Sequence, residues 1–125
     1  MNIALWIIAG VLAVLFLASG LQKVTQPREK LAVSMRWADR FSAPAVKTIG
    51  VLEIFAAVGL IVPAALGIAP VLVPVAATGL VLLMVGAIVI HLRLHEVPPV
   101  AMNLVLLVLS AVVAWGRFGP HSFTA

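Results

Sequence analysis

Residues 44–91 read PAVKTIGVLEIFAAVGLIVPAALGIAPVLVPVAATGLVLLMVGAIVIH, and this stretch decides the fold. Before His91 only Lys47 and Glu53 in it are charged, and Pro63, Gly67 and Pro70 punctuate it into two apolar runs. Crossing a hydrocarbon core about 30 Å thick takes roughly 20 apolar residues as a helix, because no water is present there to satisfy the backbone. The first run, about 44–63, begins at Pro44, suited to a first helical turn, and is closed by Pro63. The second, about 70–91, has Pro70 and Pro74 in its opening turns, where a missing N–H costs least. Since the turn between them, Ala64 to Ala69, is short and uncharged, the two runs form an antiparallel hairpin.

Working outward, the run from Ile3 to Leu21 contains no charge and is stopped by Gln22 and Lys23, which gives a span of about 3–22. A cleaved signal peptide is the competing reading, with Ala18 and Gly20 at plausible cleavage offsets. It is disfavoured because no Lys or Arg precedes the apolar core and the core is too long. A fourth run, about 98–116, starts at Pro98-Pro99 and ends on Trp115, Arg117 and Phe118, the mixed aromatic and basic set of a membrane boundary. Composition agrees: 64% of the 125 residues are hydrophobic and 10% charged, against about half and about a quarter in soluble domains. The mean hydropathy is +1.25. Four spans use about 80 positions and leave no room for a soluble domain, so residues 1–125 are expected to form one membrane domain. The expected fold is an all-α, up-down bundle of four transmembrane helices.

The absence of cysteine excludes a disulfide scaffold, thiol-disulfide exchange, a thiolate-ligated iron-sulfur cluster and a Cys nucleophile. Any redox role must therefore use a borrowed cofactor that is neither covalently attached nor Cys-ligated. No Gly-rich phosphate cradle, metalloprotease helix or serine elbow occurs. The net charge of +4 is a topology signal rather than a nucleic-acid signal. Lys23, Arg28, Lys30, Arg36, Arg40, Lys47 and Arg93 fall on one side of the alternating spans and Arg117 alone on the other, so seven of eight basic residues mark the cytoplasm. Both termini then lie outside, in what reads as a bacterial cytoplasmic membrane. No matching halves are seen, which disfavours a repeat transporter. Within the first loop, Pro27 to Phe41 places Leu31, Met35, Ala38 and Phe41 on one helical stripe, the pattern of an interfacial amphipathic helix whose charges meet lipid headgroups.

Polar residues collect at one end of the bundle. Glu53, the only acid within a span, lies about 10 Å past the start of its helix, with Ile49, Gly50, Ala56 and Ala57 as helical neighbours. These mostly small residues let another helix approach, so the carboxyl should face the bundle and be protonated, paired with Lys23 or another cation, or open to water. From the same end the first span offers Ser19, Gln22 and Lys23, the third His91, and the fourth Asn103. One reading is a ligand-binding or proton-handling pocket; the other is a polar clasp that fixes helix register. The first is preferred, since an interhelical hydrogen bond in a membrane contributes only about 0.6 to 2 kcal/mol and is a weak reason to keep an acid there. His91 and His95, four apart and followed by Glu96, have a metal-like spacing, but further ligands are not placed, so no metal is expected. His121 reads as a solvated tail residue, and Met84 and Met102 as packing.

The segments Gly50-Val51-Leu52-Glu53-Ile54, Gly59 to Pro63, Pro74 to Gly86 running into His91-Leu92-Arg93, and Val113 to Phe118 resemble the DoxX-like family of small four-span membrane proteins. Ser19-Gly20-Leu21-Gln22-Lys23 resembles that family's first-span exit. The resemblance implies an up-down four-helix membrane protein whose relatives are linked in name to sulfur and quinone oxidoreductase systems and to membrane-associated oxidoreductase complexes. Carried over residue by residue, it points to Lys23, Glu53 and His91. Two functions of different class are expected to compete. One is an accessory subunit of a membrane oxidoreductase system, with a redox partner and a pocket for a quinone-like or other apolar ligand. The other is a non-enzymatic binding or assembly module, as a homo-oligomer or with a partner.

Overall fold

A computed structural model describes residues 2–26, 43–95 and 97–122. They form four helices: α1 (Asn2–Thr25), α2 (Ala43–Leu66), α3 (Leu72–Arg93) and α4 (Val97–Phe118). At 1.5 Å per residue these run about 33 to 36 Å, and all four are long and apolar enough to cross a membrane. α1 packs along α2 and α3 along α4, with α2 against α3 and a lighter α1–α4 contact closing the ring. The interfacial segment expected within 27–41 lies outside the described residues, as does Glu96.

Each helix buries one stripe of residues spaced three and four apart. On α1 it is Leu5, Ala9, Leu12, Phe16, Gly20 and Lys23, and on α3 Val73, Ala77, Leu80, Met84 and His91. Val46, Gly50, Glu53, Ala57 and Leu60 form the stripe of α2. Ser110, Val113 and Arg117 form that of α4. The bulky residues left over, such as Ile3, Val14, Phe55 and Leu82, point outward, which in a bilayer means toward lipid. Met102, read as packing, belongs to that outward set at 59% exposed, whereas Met84 is buried as expected.

The helix boundaries correct the sequence reading at two places. Pro63 does not close the second span: α2 runs through it to Leu66. The proline forgoes only its own bond, to Gly59, and the real stop comes from Gly67, whose φ of 67° is the left-handed backbone that glycine adopts without strain. The amides of Gly67 and Ile68 then return to the carbonyls of Ala64 and Pro63 (3.3 and 2.9 Å), closing the helix end. Pro70 consequently sits in the turn, and α3 begins two residues later than expected, at Leu72.

The α1–α2 pair is close because Gly20 faces Gly50: a Cβ on Gly20 would stand 2.6 Å from the Gly50 carbonyl oxygen. At the opposite end, Arg117 is 4% exposed and ties α4 to α1. Its guanidinium donates to Asn2 Oδ1 (2.7 Å) and to the His121 carbonyl (3.0 Å), and it lies 5.9 Å from the centre of the Trp6 ring. His121 is therefore half-buried, edge-on to Trp115 with centroids 6.3 Å apart, and not the solvated tail residue its position implied.

Candidate functional site

The buried stripes of α1 and α3 end in Lys23 and His91, and that of α2 carries Glu53 between Gly50 and Ala57, so the stripe spacing brings three ionisable side chains to one end of the bundle. Asn103 sits two steps below Ser110 on the α4 stripe, at the same end. Other hydroxyls are absorbed locally: Thr48, Thr78 and Ser110 each donate to the carbonyl four residues back in their own helix, which removes them from consideration as site groups.

Lys23 and Glu53 form a salt bridge, Nζ to Oε1 at 2.7 Å, with the two side chains 7% and 5% exposed. The same ammonium donates to Ser19 Oγ at 2.7 Å, one turn back on α1. Nearby, Lys47 reaches across to the Val24 carbonyl at the end of α1 (3.4 Å), where a cation meets the helix dipole favourably. Of the three states open to Glu53 from the sequence, the structure holds it as the partner of Lys23.

Beside this pair lies a cavity of about 270 Å³. Phe16, Leu83, Met84, Ala87 and Leu106 form its apolar wall, and Ser19, Lys23, Glu53, His91 and Asn103 its polar end. Two polar atoms there, Glu53 Oε2 and Asn103 Nδ2, are buried without a hydrogen-bond partner among the described residues. Leaving such groups unsatisfied costs about 1–3 kcal/mol each, so the cavity is suited to a molecule with a donor for the carboxylate and an acceptor for the amide. Leu15, Leu82 and Gly86, all exposed, stand at its rim on α1 and α3, so the cavity opens sideways toward the membrane.

Of the six sequence candidates, five line this cavity and one does not. Gln22 is half-buried next to Lys23 but outside the wall, because one step along a helix rotates a side chain by about 100° away from the stripe that carries Ser19 and Lys23. His95 is also separated from His91: α3 ends at Arg93, and His95 lies past it, exposed, at φ 58°, so the two imidazoles do not share a helical face. Among the described residues no three His, Asp or Glu side chains gather as metal ligands. The Arg117 clasp was missed by the sequence reading. Its signal was an arginine in the last turn of the fourth helix, at the same end of the bundle as Asn2 in the first turn of the first.

Fold and site together define a small integral membrane protein: four apolar spanning helices around a buried Lys–Glu pair and a cavity between the helices. The profile of the DoxX-like family matches residues 7–113, from the first turns of α1 to the Val113 core position of α4, and the chain belongs to that family. No curated protein or solved structure matches the chain.

Proposed function

We propose that the cavity at the Lys23 end binds the polar head of a quinone-like or other small apolar ligand, and that the protein serves a membrane oxidoreductase system as an accessory subunit. The observation that carries this is the unpartnered Glu53 Oε2, buried beside an already formed salt bridge and set on the wall of an apolar cavity. A group used only to hold helices together would have both carboxylate oxygens satisfied. In this reading Lys23 balances the charge of Glu53, while Glu53 and His91 pass protons to and from a hydroxyl or carbonyl of the ligand. The volume is near the lower end of small-molecule sites, which suits a single ring. The proposed partner is a membrane redox protein, and the proposed setting a bacterial cytoplasmic membrane with both termini outside.

One observation favours the alternative, a non-enzymatic assembly module: the Lys23–Glu53 pair joins α1 to α2 beside the Gly20–Gly50 contact and so also fixes their register. Extraction in mild detergent, with bound quinones and other lipophiles identified by mass spectrometry and copurifying proteins identified at once, separates the two. The binding reading expects a bound ligand in the wild type that is lost in Glu53→Gln while helicity is retained, since glutamine keeps the volume and the hydrogen bonding. A clean wild type, together with a Gln variant that loses nothing, supports the assembly module instead.

A further inference from the structure

Outside the polar cavity, the surface between α2 and α3 carries a groove of about 540 Å³ whose lining is apolar throughout. Its floor is made of small residues, Ala56 and Gly59 on α2 with Ala76 and Gly79 on α3. Phe55 and Leu82, 70% and 68% exposed, rise beside it. Along α3 it reaches from Leu82 back to Leu72, ten residues or about 15 Å of helix, directed away from the Lys23 end.

Groove and cavity adjoin: Leu82 and Leu83 belong to the walls of both, so the apolar groove begins beside the rim of the polar chamber. One end of this path holds a carboxylate oxygen buried without a partner, and the other holds no polar side chain. The shape is that of a molecule with a compact polar head and one long apolar tail.

We propose that the ligand is such a tailed amphiphile, its head in the Lys23–Glu53–Asn103 cavity and its tail lying along the α2–α3 groove. This rests on the cavity being a binding site, as proposed above, and adds what the ligand must be attached to. Moving a tail from lipid into the groove brings no hydrophobic gain, so selectivity for it comes from packing against the small-residue floor. The ligand enters from the side, within the membrane, past Leu82.

The test uses one ring with two tails. Affinities of a tailless dimethoxy-methyl-hydroquinone, whose hydroxyls both donate and accept, and of the same ring with a decyl tail are measured anaerobically on the full chain in lipid nanodiscs, for the wild type, Glu53→Gln and Gly79→Leu. A side chain at Gly79 enters open space, since its Cβ would meet nothing within 4 Å, so the leucine fills the groove without disturbing the bundle. The decyl compound is expected to bind about fivefold tighter than the tailless ring, and Gly79→Leu to remove that advantage while leaving the tailless affinity unchanged. Glu53→Gln is expected to weaken both compounds alike. Equal affinity of the two compounds for the wild type overturns the tail site by itself, whatever the variants do. A Gly79→Leu protein that keeps the tail advantage, or that changes only its oligomeric mass, also overturns it and assigns the groove to another occupant. Binding of neither ring refutes the reading of the cavity, and the tail site falls with it.

Discussion

Substituting Gly20 by alanine places a methyl group 2.6 Å from the Gly50 carbonyl oxygen and 2.7 Å from Ile54 Cγ1, where ordinary contact begins near 3.4 Å. The shortfall of about 0.8 Å falls on backbone that cannot rotate away, so α1 and α2 must part by about that much. The same two helices are joined by the 2.7 Å Lys23–Glu53 bond, which stretches toward 3.5 Å, the limit of a hydrogen bond. Overpacking costs about 1–3 kcal/mol and weakening a charged hydrogen bond adds about 1 kcal/mol, offset in part by the better helix propensity of alanine, for a net loss of about 2 kcal/mol. Reversible unfolding in mixed dodecyl sulfate micelles, followed by helical circular dichroism, measures it. Gly10→Ala is the control, since nothing lies within 4 Å of its Cβ. Adding Ile54→Ala should not rescue Gly20→Ala, because the carbonyl clash remains. If Gly20→Ala unfolds within about 0.5 kcal/mol of Gly10→Ala, the close approach of α1 and α2 is wrong and the geometry of the site with it.

Lys23→Met should destabilise by about 3–5 kcal/mol by leaving Glu53 buried without its cation, whereas Lys23→Met with Glu53→Leu should recover most of that in the same unfolding assay while abolishing ligand retention. Arg117→Lys should lose about 1–2 kcal/mol, because a compact ammonium does not reproduce the fork in which Nη1 donates to Asn2 Oδ1 and the His121 carbonyl and Nη2 to the Asn2 carbonyl; His121→Ala keeps its backbone acceptor and should cost less. For topology, a cysteine replacing Ser122 should react with an impermeant maleimide in intact cells and one replacing Ser34 should not; the reverse pattern inverts the proposed orientation. Spin labels along residues 28–40 should show accessibility with a helical period, and uniform water exposure would remove the interfacial helix.

The four spans were legible because a bilayer imposes a length and an apolarity that no other setting demands, and residues 44–91 satisfy both twice over. What misled was Pro63. Proline reads as a stop in a sequence, yet a helix tolerates it when only one bond is forgone, and the geometry that ends α2 belongs to Gly67. The gathering of Ser19, Lys23, Glu53, His91 and Asn103 was legible from depth, since residues at one level of four antiparallel helices must be neighbours. Depth does not give azimuth, so Gln22 was placed with them although it faces beside the cavity. Nor did the pairwise reading of His91 and His95 foresee a helix ending between them. The Arg117 clasp stayed hidden for a related reason: a basic residue at a span end reads as an interface anchor, and only packing shows that Asn2 and Trp6 stand ready to bury it.

That clasp has a kinetic meaning. Its partners are 115 positions apart in the chain, whereas the α3–α4 contacts are made between neighbours in sequence and can form as a hairpin as soon as both helices are inserted. Closing the ring between α1 and α4 is the step with the longest loop to order, and so the last to be rewarded. Substitutions at Asn2 or Arg117 should therefore hasten unfolding and leave the folding rate nearly untouched, while those in the α3–α4 interface slow folding itself. The bundle assembles from local pairs, and the seam between its first and last helices sets how long it stays assembled.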